Sequence, residues 1–285
     1  MKKILALTAL TALVLCVCMA AGCGCGRKKV LDEPEATLPD LNLYKKPQEK
    51  DFLWVDENGG IAITGYTGDI EYVYVPDEIG GSPVKVIGSG AFAHTEIQGV
   101  LIPDSVVQIE DLAFNGCTAL KEVDCGHGLV ELGYGAFEEC YALETVLLRG
   151  GLEVIGEVSF GFCYSLKSIS IPQSVIMICD QAFYKSGLEF VDIPGGVESV
   201  YAKTFFGCES LKKATISEGV KFVGDDVFEG CPALETIVLP ASVTKIGRMI
   251  SDNPAVVIKA PKDSAAEVYA QNYDFAFEAL PQEGE

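Results

Sequence analysis

The stretch VLIPDSVVQIEDLAFNGCTAL, residues 100–120, carries the phrase on which the fold turns, and it returns as SISIPQSVIMICDQAFYKSGL at residues 168–188. Its most regular part is a Phe preceded by a smaller residue: Ala91-Phe92, Ala113-Phe114, Ala136-Phe137, Ser159-Phe160, Ala182-Phe183, Thr204-Phe205 and Val227-Phe228. Successive Phe residues are 22, 23, 23, 23, 22 and 23 positions apart. A fixed period in the twenties means that each copy is one winding of a solenoid.

Each copy divides into three parts. A short alternating strand comes first, as in Val100-Leu101-Ile102 or Ile169-Ser170-Ile171, often closed by Pro103, Pro172, Pro194 or Pro240. Proline has no N–H to give a ladder, so it suits a strand end. An apolar pair follows, such as Val106 and Ile109 or Val243 and Ile246, leading to a turn where Gly133, Gly156, Gly224 and Gly247 recur. The third part is a compact helical or 3₁₀ turn that carries the Phe and a small residue three places on. Leu120, Leu143, Leu166, Leu211 and Leu234 stand six places on. A single coil cannot bury that inward face, but stacking does. At ~4.8 Å between strands, about eight coils make a parallel sheet some 40 Å long. The 22-residue intervals begin at Phe92 and Phe183, where Thr95 and Ser186 replace the usual Cys. Shortening and substitution together predict a compact variant of that corner.

The whole phrase resembles the BspA-like leucine-rich repeat family of bacterial surface proteins, over about Phe52 to Leu280. The resemblance implies a curved right-handed coil used for contact with protein or glycan and not for a reaction. The expected fold is thus an α/β solenoid with a parallel β-sheet face, short helical or 3₁₀ turns and capped ends. Departures from the phrase are Cys179 in place of Gly, Arg149 in place of Pro, and His127 in one turn. Phe52 to Val55 and Ile61 to Ile63 read as a hairpin around Asn58-Gly59. The first coil, Asp69 to Gly90, has an insertion at Gly80 to Pro83. At the far end Ser251 stands where the next Phe is due, and Ser264-Ala265-Ala266-Glu267 starts a short capping helix followed by a strand through Phe275 and Phe277.

The N-terminus supplies an address. Lys2 and Lys3 precede an uncharged apolar run from Ile4 to Ala21, the plan of a secretory signal peptide. The run also reaches the lower limit for a bilayer-spanning helix. Ala20-Ala21-Gly22-Cys23 resembles the bacterial lipoprotein processing box, which implies cleavage before Cys23 and acylation of its thiol and new N-terminus. The expected organisation is a signal peptide over 1–22, a lipidated Cys23 with a flexible tether to residue 50, and a solenoid over 51–285. The tether is charged and proline-rich and has a reach of about 30 Å. The expected location is the outer side of a bacterial membrane, held there by lipid.

Composition narrows the function. With 41 Asp plus Glu against 21 Lys plus Arg, and a formal charge of −20, nucleic acid is excluded as a partner. Only 2 His are present, and zinc-type Cys spacing is missing from the repeats, so no metal or cofactor is expected. Cys117, Cys140, Cys163, Cys208 and Cys231 each follow a repeat Phe by three residues and form one column of small buried hydrophobes. Parallel side chains hold their Cβ atoms ~4.8 Å apart, beyond disulfide range, so no disulfide ladder is expected. Cys125 aligns with core positions. Cys125-Gly126-His127 reads as a turn with the imidazole in water, not as a thiol nucleophile with its base. Glu138-Glu139 and Asp225-Asp226 read as solvated acids. No enzyme is expected.

What remains is a surface. Strand residues pointing away from the core form one face: Tyr72, Tyr74, Leu101, Glu122, Asp124, Thr145, Leu147, Ser168, Ser170, Phe190, Asp192, Lys213, Thr215, Thr236 and Val238. It has no basic stripe and no aromatic stack. With Tyr72, Tyr74, Leu101, Leu147 and Phe190 expected to be exposed, it suits an extracellular or host protein or peptide. The expected function is adhesion or another interaction, with a monomer as the default state. The alternatives are a structural spacer without a ligand and a thiol-based redox or metal protein.

Overall fold

The computed structural model describes residues 40–57 and 59–281. The expected signal segment, Cys23 and most of the expected tether lie outside them, as does Asn58 of the hairpin turn. The described chain is a parallel β-solenoid, and its alternating strands build two sheets along the predicted face. Tyr72–Tyr74, Gly99–Leu101, Glu122–Asp124 and Thr145–Leu147 form a four-stranded sheet. Phe190–Ile193, Lys213–Ile216, Thr236–Val238, Val257–Ala260 and Ala276–Ala279 form a five-stranded one. All of these pairings are parallel. The inward row Val73, Val100, Val123, Val146, Val191, Ala214, Ile237 and Ile258 is buried.

The strand expected at Ile169-Ser170-Ile171 does not form, and this is where the face divides. The break falls in the coil that follows Arg149-Gly150-Gly151, the stretch lacking the usual strand-closing Pro. The apolar pairs form a ladder of their own. Two-residue strands at Gln108–Ile109, Glu131–Leu132, Val154–Ile155, Met177–Ile178, Ser199–Val200, Phe222–Val223 and Lys245–Ile246 continue an 11-stranded sheet without a gap. Gly follows four of these strands, at Gly133, Gly156, Gly224 and Gly247, where coils approach closely: a Cβ on Gly156 would lie 2.5 Å from the Leu132 and Gly133 carbonyl oxygens.

The Phe-bearing part is a turn and not a helix. Residues two before and two after the Phe adopt left-handed backbone, as at Leu112 and Gly116, Val158 and Phe162, or Lys203 and Gly207. A left-handed residue costs an L-amino acid roughly 1–2 kcal/mol and stops a right-handed helix. In exchange, the Phe N–H reaches across to the next coil. Phe114, Phe137 and Phe160 donate to the carbonyls of Ala136, Ser159 and Ala182, each at 2.8 Å. All seven Phe side chains are fully buried and stack in one file, with neighbouring centroids 4.9–5.6 Å apart.

Both ends are closed as the sequence predicts. Phe52–Glu57 and Gly60–Tyr66 pair antiparallel, and Tyr66 stacks on Phe92 at 5.2 Å. Glu78–Ile79 folds back on Ser82–Ile87 through the insertion. At the other end the helix Ala265–Asn272 is capped by Ser264, whose hydroxyl accepts from Glu267 N at 3.3 Å. The Glu267 carboxylate accepts from Asp263 N, one residue before the cap, so the capping box is only half formed. Tyr269 accepts from Ile250 N at 3.0 Å and covers the last coil, where Ser251 is buried in the Phe position.

Candidate interaction surface

The thiol column is interior. Cys117, Cys140, Cys163, Cys208 and Cys231 are buried, and each Sγ donates to the carbonyl of the Phe one coil back, at 3.0–3.2 Å. Thr95 and Ser186 hold the same place in the shortened coils, with hydroxyls 3.4 and 3.3 Å from the next thiol. Burial pushes these thiols up, Cys208 to about 12, so they stay protonated and unreactive at neutral pH. Cys125 is wholly buried, while the imidazole of His127 is exposed and faces Asp104 Oδ1 at 3.1 Å. The two side chains therefore point to different environments. Among the described residues, no three His, Cys, Asp or Glu side chains group as metal ligands.

The strand face differs from expectation in its N-terminal half. Leu101 and Leu147 are buried, at 8% and 9% exposure, because each lies in register beside Asp124 in a closed row that begins with Tyr74. Asp124 is engaged by Arg149, whose Nε donates to Oδ1 at 3.0 Å while a second guanidinium nitrogen holds Oδ2. Tyr72 and Tyr74 are half-buried under a strap from the expected tether. Lys45 N donates to Tyr72 O at 3.0 Å, and Tyr74 N donates to Lys45 O at 2.9 Å. The Tyr44 ring packs edge-on against Tyr72 at 5.6 Å, its hydroxyl donates to Glu122 Oε1 at 2.7 Å, and Lys46 sits 4.5 Å over the Tyr74 ring.

The face opens at and past the break. Ser170 in the break coil and Phe190 and Asp192 beyond it are exposed, Phe190 at 45%, while Ser168, Lys213, Thr215, Thr236 and Val238 are half-buried, as is Thr145 in the closed sheet. Lys212 lies 5.7 Å over the Phe190 ring and pairs with Glu189 at 2.6 Å. Beside it runs an open cleft of about 550 Å³ lined by Lys212, Thr236, Asn253, Val257, Lys259 and Glu278.

A second surface escaped the sequence reading. Tyr141, Phe162, Tyr164, Tyr184 and Phe206 form a strip across four coils on the turn side. Tyr141 stacks with Tyr164 at 5.6 Å, and Tyr184 with Phe206 at 5.3 Å; Phe162 meets Tyr164 and Tyr184 edge-on. Tyr141 is 39% and Tyr164 51% exposed. The signal was present as aromatic residues one, two or four places after the repeat Phe, confined to these coils, but their offsets differ and no single column shows them.

Short parallel strands, a second ladder and a file of buried Phe define a leucine-rich-repeat-like coil. A family model described as "BspA type Leucine rich repeat region" matches 6 copies over residues 85–208 and 176–253, more than half of the chain, and the chain belongs to that family. It is similar to the leucine-rich repeat protein TpLRR of T. pallidum, with 27% identity and a TM-score of 0.60 over 83% of this chain and 100% of that one. It is also similar to a leucine rich cell surface protein from Faecalibacterium prausnitzii, with 22% identity and a TM-score of 0.48 over 80% of this chain and 76% of that one. No curated protein matches the chain.

Proposed function

We propose that this chain is an exported lipoprotein, acylated at Cys23 and held on the outer side of a bacterial membrane, whose solenoid captures an extracellular protein. The address rests on the apolar leader and Ala20-Ala21-Gly22-Cys23, and family membership supports a place at the surface. The capture surface is the C-terminal half of the strand face. The carrying observation is Phe190, a large aromatic ring 45% exposed on a regular sheet under Lys212, which also lines the open cleft. An exposed aromatic anchor next to a concavity is the usual core of a binding interface. The inert buried thiols and the separation of Cys125 from His127 support a binding module over an enzyme.

Two experiments test this. Cells fed labelled palmitate should incorporate it into the wild-type chain and not into Cys23→Ala, which should leave the membrane fraction. Phe190→Ser with Lys212→Ala should abolish capture of the extracellular partner without lowering the melting temperature. A spacer would show no capture for either chain.

A further inference from the structure

We propose that the aromatic strip on the turn side is a second docking surface, one that takes an acidic segment of a partner protein. The strip is distinct from the strand face and is built by different parts of each coil. Its stacked rings spend a face on one another: Tyr141 and Tyr164 lie at 21°, Tyr184 and Phe206 at 6°. Lys185 and Lys203 lie over the Tyr184 and Phe206 rings as well, which favours peptide side chains over a sugar ring that needs a free aromatic face.

The charge on the strip gives the partner its sign. Lys167, Lys185 and Lys203 are exposed, and among the described residues none forms an ion pair. Lys185 Nζ lies 5.4 Å from the Tyr184 ring centroid and 5.9 Å from that of Phe162, and Lys203 Nζ lies 5.7 Å from that of Phe206. In a chain with 41 acids and 21 Lys plus Arg, Lys185 and Lys203 seated on aromatic rings reverse the sign at the Tyr184 and Phe206 end of the strip, while Glu138 and Glu139 stand at its Tyr141 end. Such a patch attracts carboxylates and offers apolar area beneath them, whereas a negatively charged surface elsewhere repels them.

The test uses the full chain and a fluorescein-labelled random copolymer of glutamate and tyrosine, with binding followed by anisotropy. The wild-type chain should bind it, more weakly as salt rises, and Tyr164→Ser/Lys185→Gln/Lys203→Gln should weaken binding at least tenfold with an unchanged melting curve. If that variant folds poorly, Lys185→Gln/Lys203→Gln, which alters only exposed side chains, should still weaken binding several-fold. Phe190→Ser should leave copolymer affinity unchanged, which separates this surface from the strand face. The proposal is overturned if the variants bind as the wild type does. It is equally overturned if polygalacturonate binds as tightly as the copolymer, or if sedimentation reveals a dimer that the triple variant dissolves.

Discussion

The interior of the solenoid and its strand face are built by the same coils, yet one is uniform and the other is not. From Phe92 to Phe228 the rings stack at nearly constant spacing, and in five of the seven coils a thiol three places on binds the carbonyl of the Phe one coil back, with Thr95 and Ser186 in its place in the other two. Along the face, four strands lie closed under a strap and an ion pair, one coil makes no strand, and five strands lie open. A core side chain is its neighbour's packing surface, so each coil must match the next. A face residue has water on one side and answers to no such demand, which leaves it free to diverge.

The largest effect expected from this difference is at alkaline pH. Burial raises the column thiols in the folded chain above their ordinary value of 9.0, so the folded state holds protons that the unfolded state releases. Their contribution is complete below pH 9 and is lost as pH rises toward the folded values, at about 1.4 kcal/mol per thiol per pH unit. Because the unfolded thiols are only half ionised at pH 9, this comes to about 1 kcal/mol per thiol between pH 9 and 10, of order 5 kcal/mol for the five, and less to the extent that residual structure shields thiols in the unfolded chain. Denaturant melts across this range should show it. Cys140→Ala/Cys163→Ala should reduce the slope by about two protons. A melt unchanged from pH 8 to 10.5 would mean that the column is open to water.

Phe160→Ala and Phe114→Ala come next. Each should cost about 3–5 kcal/mol, the usual range for emptying an aromatic core site. The comparison is sharpened by their positions: Phe160 sits in the coil next to the break in the face, and Phe114 in a coil whose strand belongs to the closed sheet. If the interior is continuous, the two costs should agree within about 1 kcal/mol. A Phe160→Ala cost near zero would mean that the solenoid parts into two stacks at the break.

This contrast also explains what could be read in advance. The Phe file, the Cys column, both caps and the shortened coils were legible because each repeats in register or carries a local signature, such as Ser264 before Glu267. The second ladder was missed because a two-residue strand has too little alternation to show a period. The burial of Leu101 and Leu147 was missed because alternation says which way a side chain points, not what lies beside it. Tyr44 was assigned to the tether because its neighbours are charged and its partner Glu122 is 78 residues away.

Arg149 tests the closed half of the face. Its guanidinium makes two bonds to Asp124, and both side chains are about three-quarters covered, at 26% and 21% exposure. Arg149→Ala should destabilise by about 1.5–3 kcal/mol, the range for hydrogen bonds to a charged group. Hydrogen exchange should quicken at Glu122–Asp124 and Thr145–Leu147 and stay unchanged in the five-stranded sheet. Acceleration in both sheets would mean that the break does not separate them.

The smallest expected effect is at the strap. Tyr44→Phe keeps the ring on Tyr72 and removes only the hydroxyl that donates to Glu122. Glu122 is half-exposed and regains water, so the loss should lie near 1 kcal/mol, about a fivefold rise in the open population. Trypsin cleavage after Lys45 should rise by the same factor, since that bond, unlike the resistant Lys46-Pro47 bond, is cut when Lys45 leaves Tyr72 and Tyr74. Glu122→Gln should give a smaller rise, because an amide oxygen still accepts from the hydroxyl. If neither variant changes the cleavage rate, the two backbone bonds of Lys45 hold the strap alone. The closed half of the face would then owe nothing to Glu122, and its difference from the open half would rest on Asp124 and Arg149.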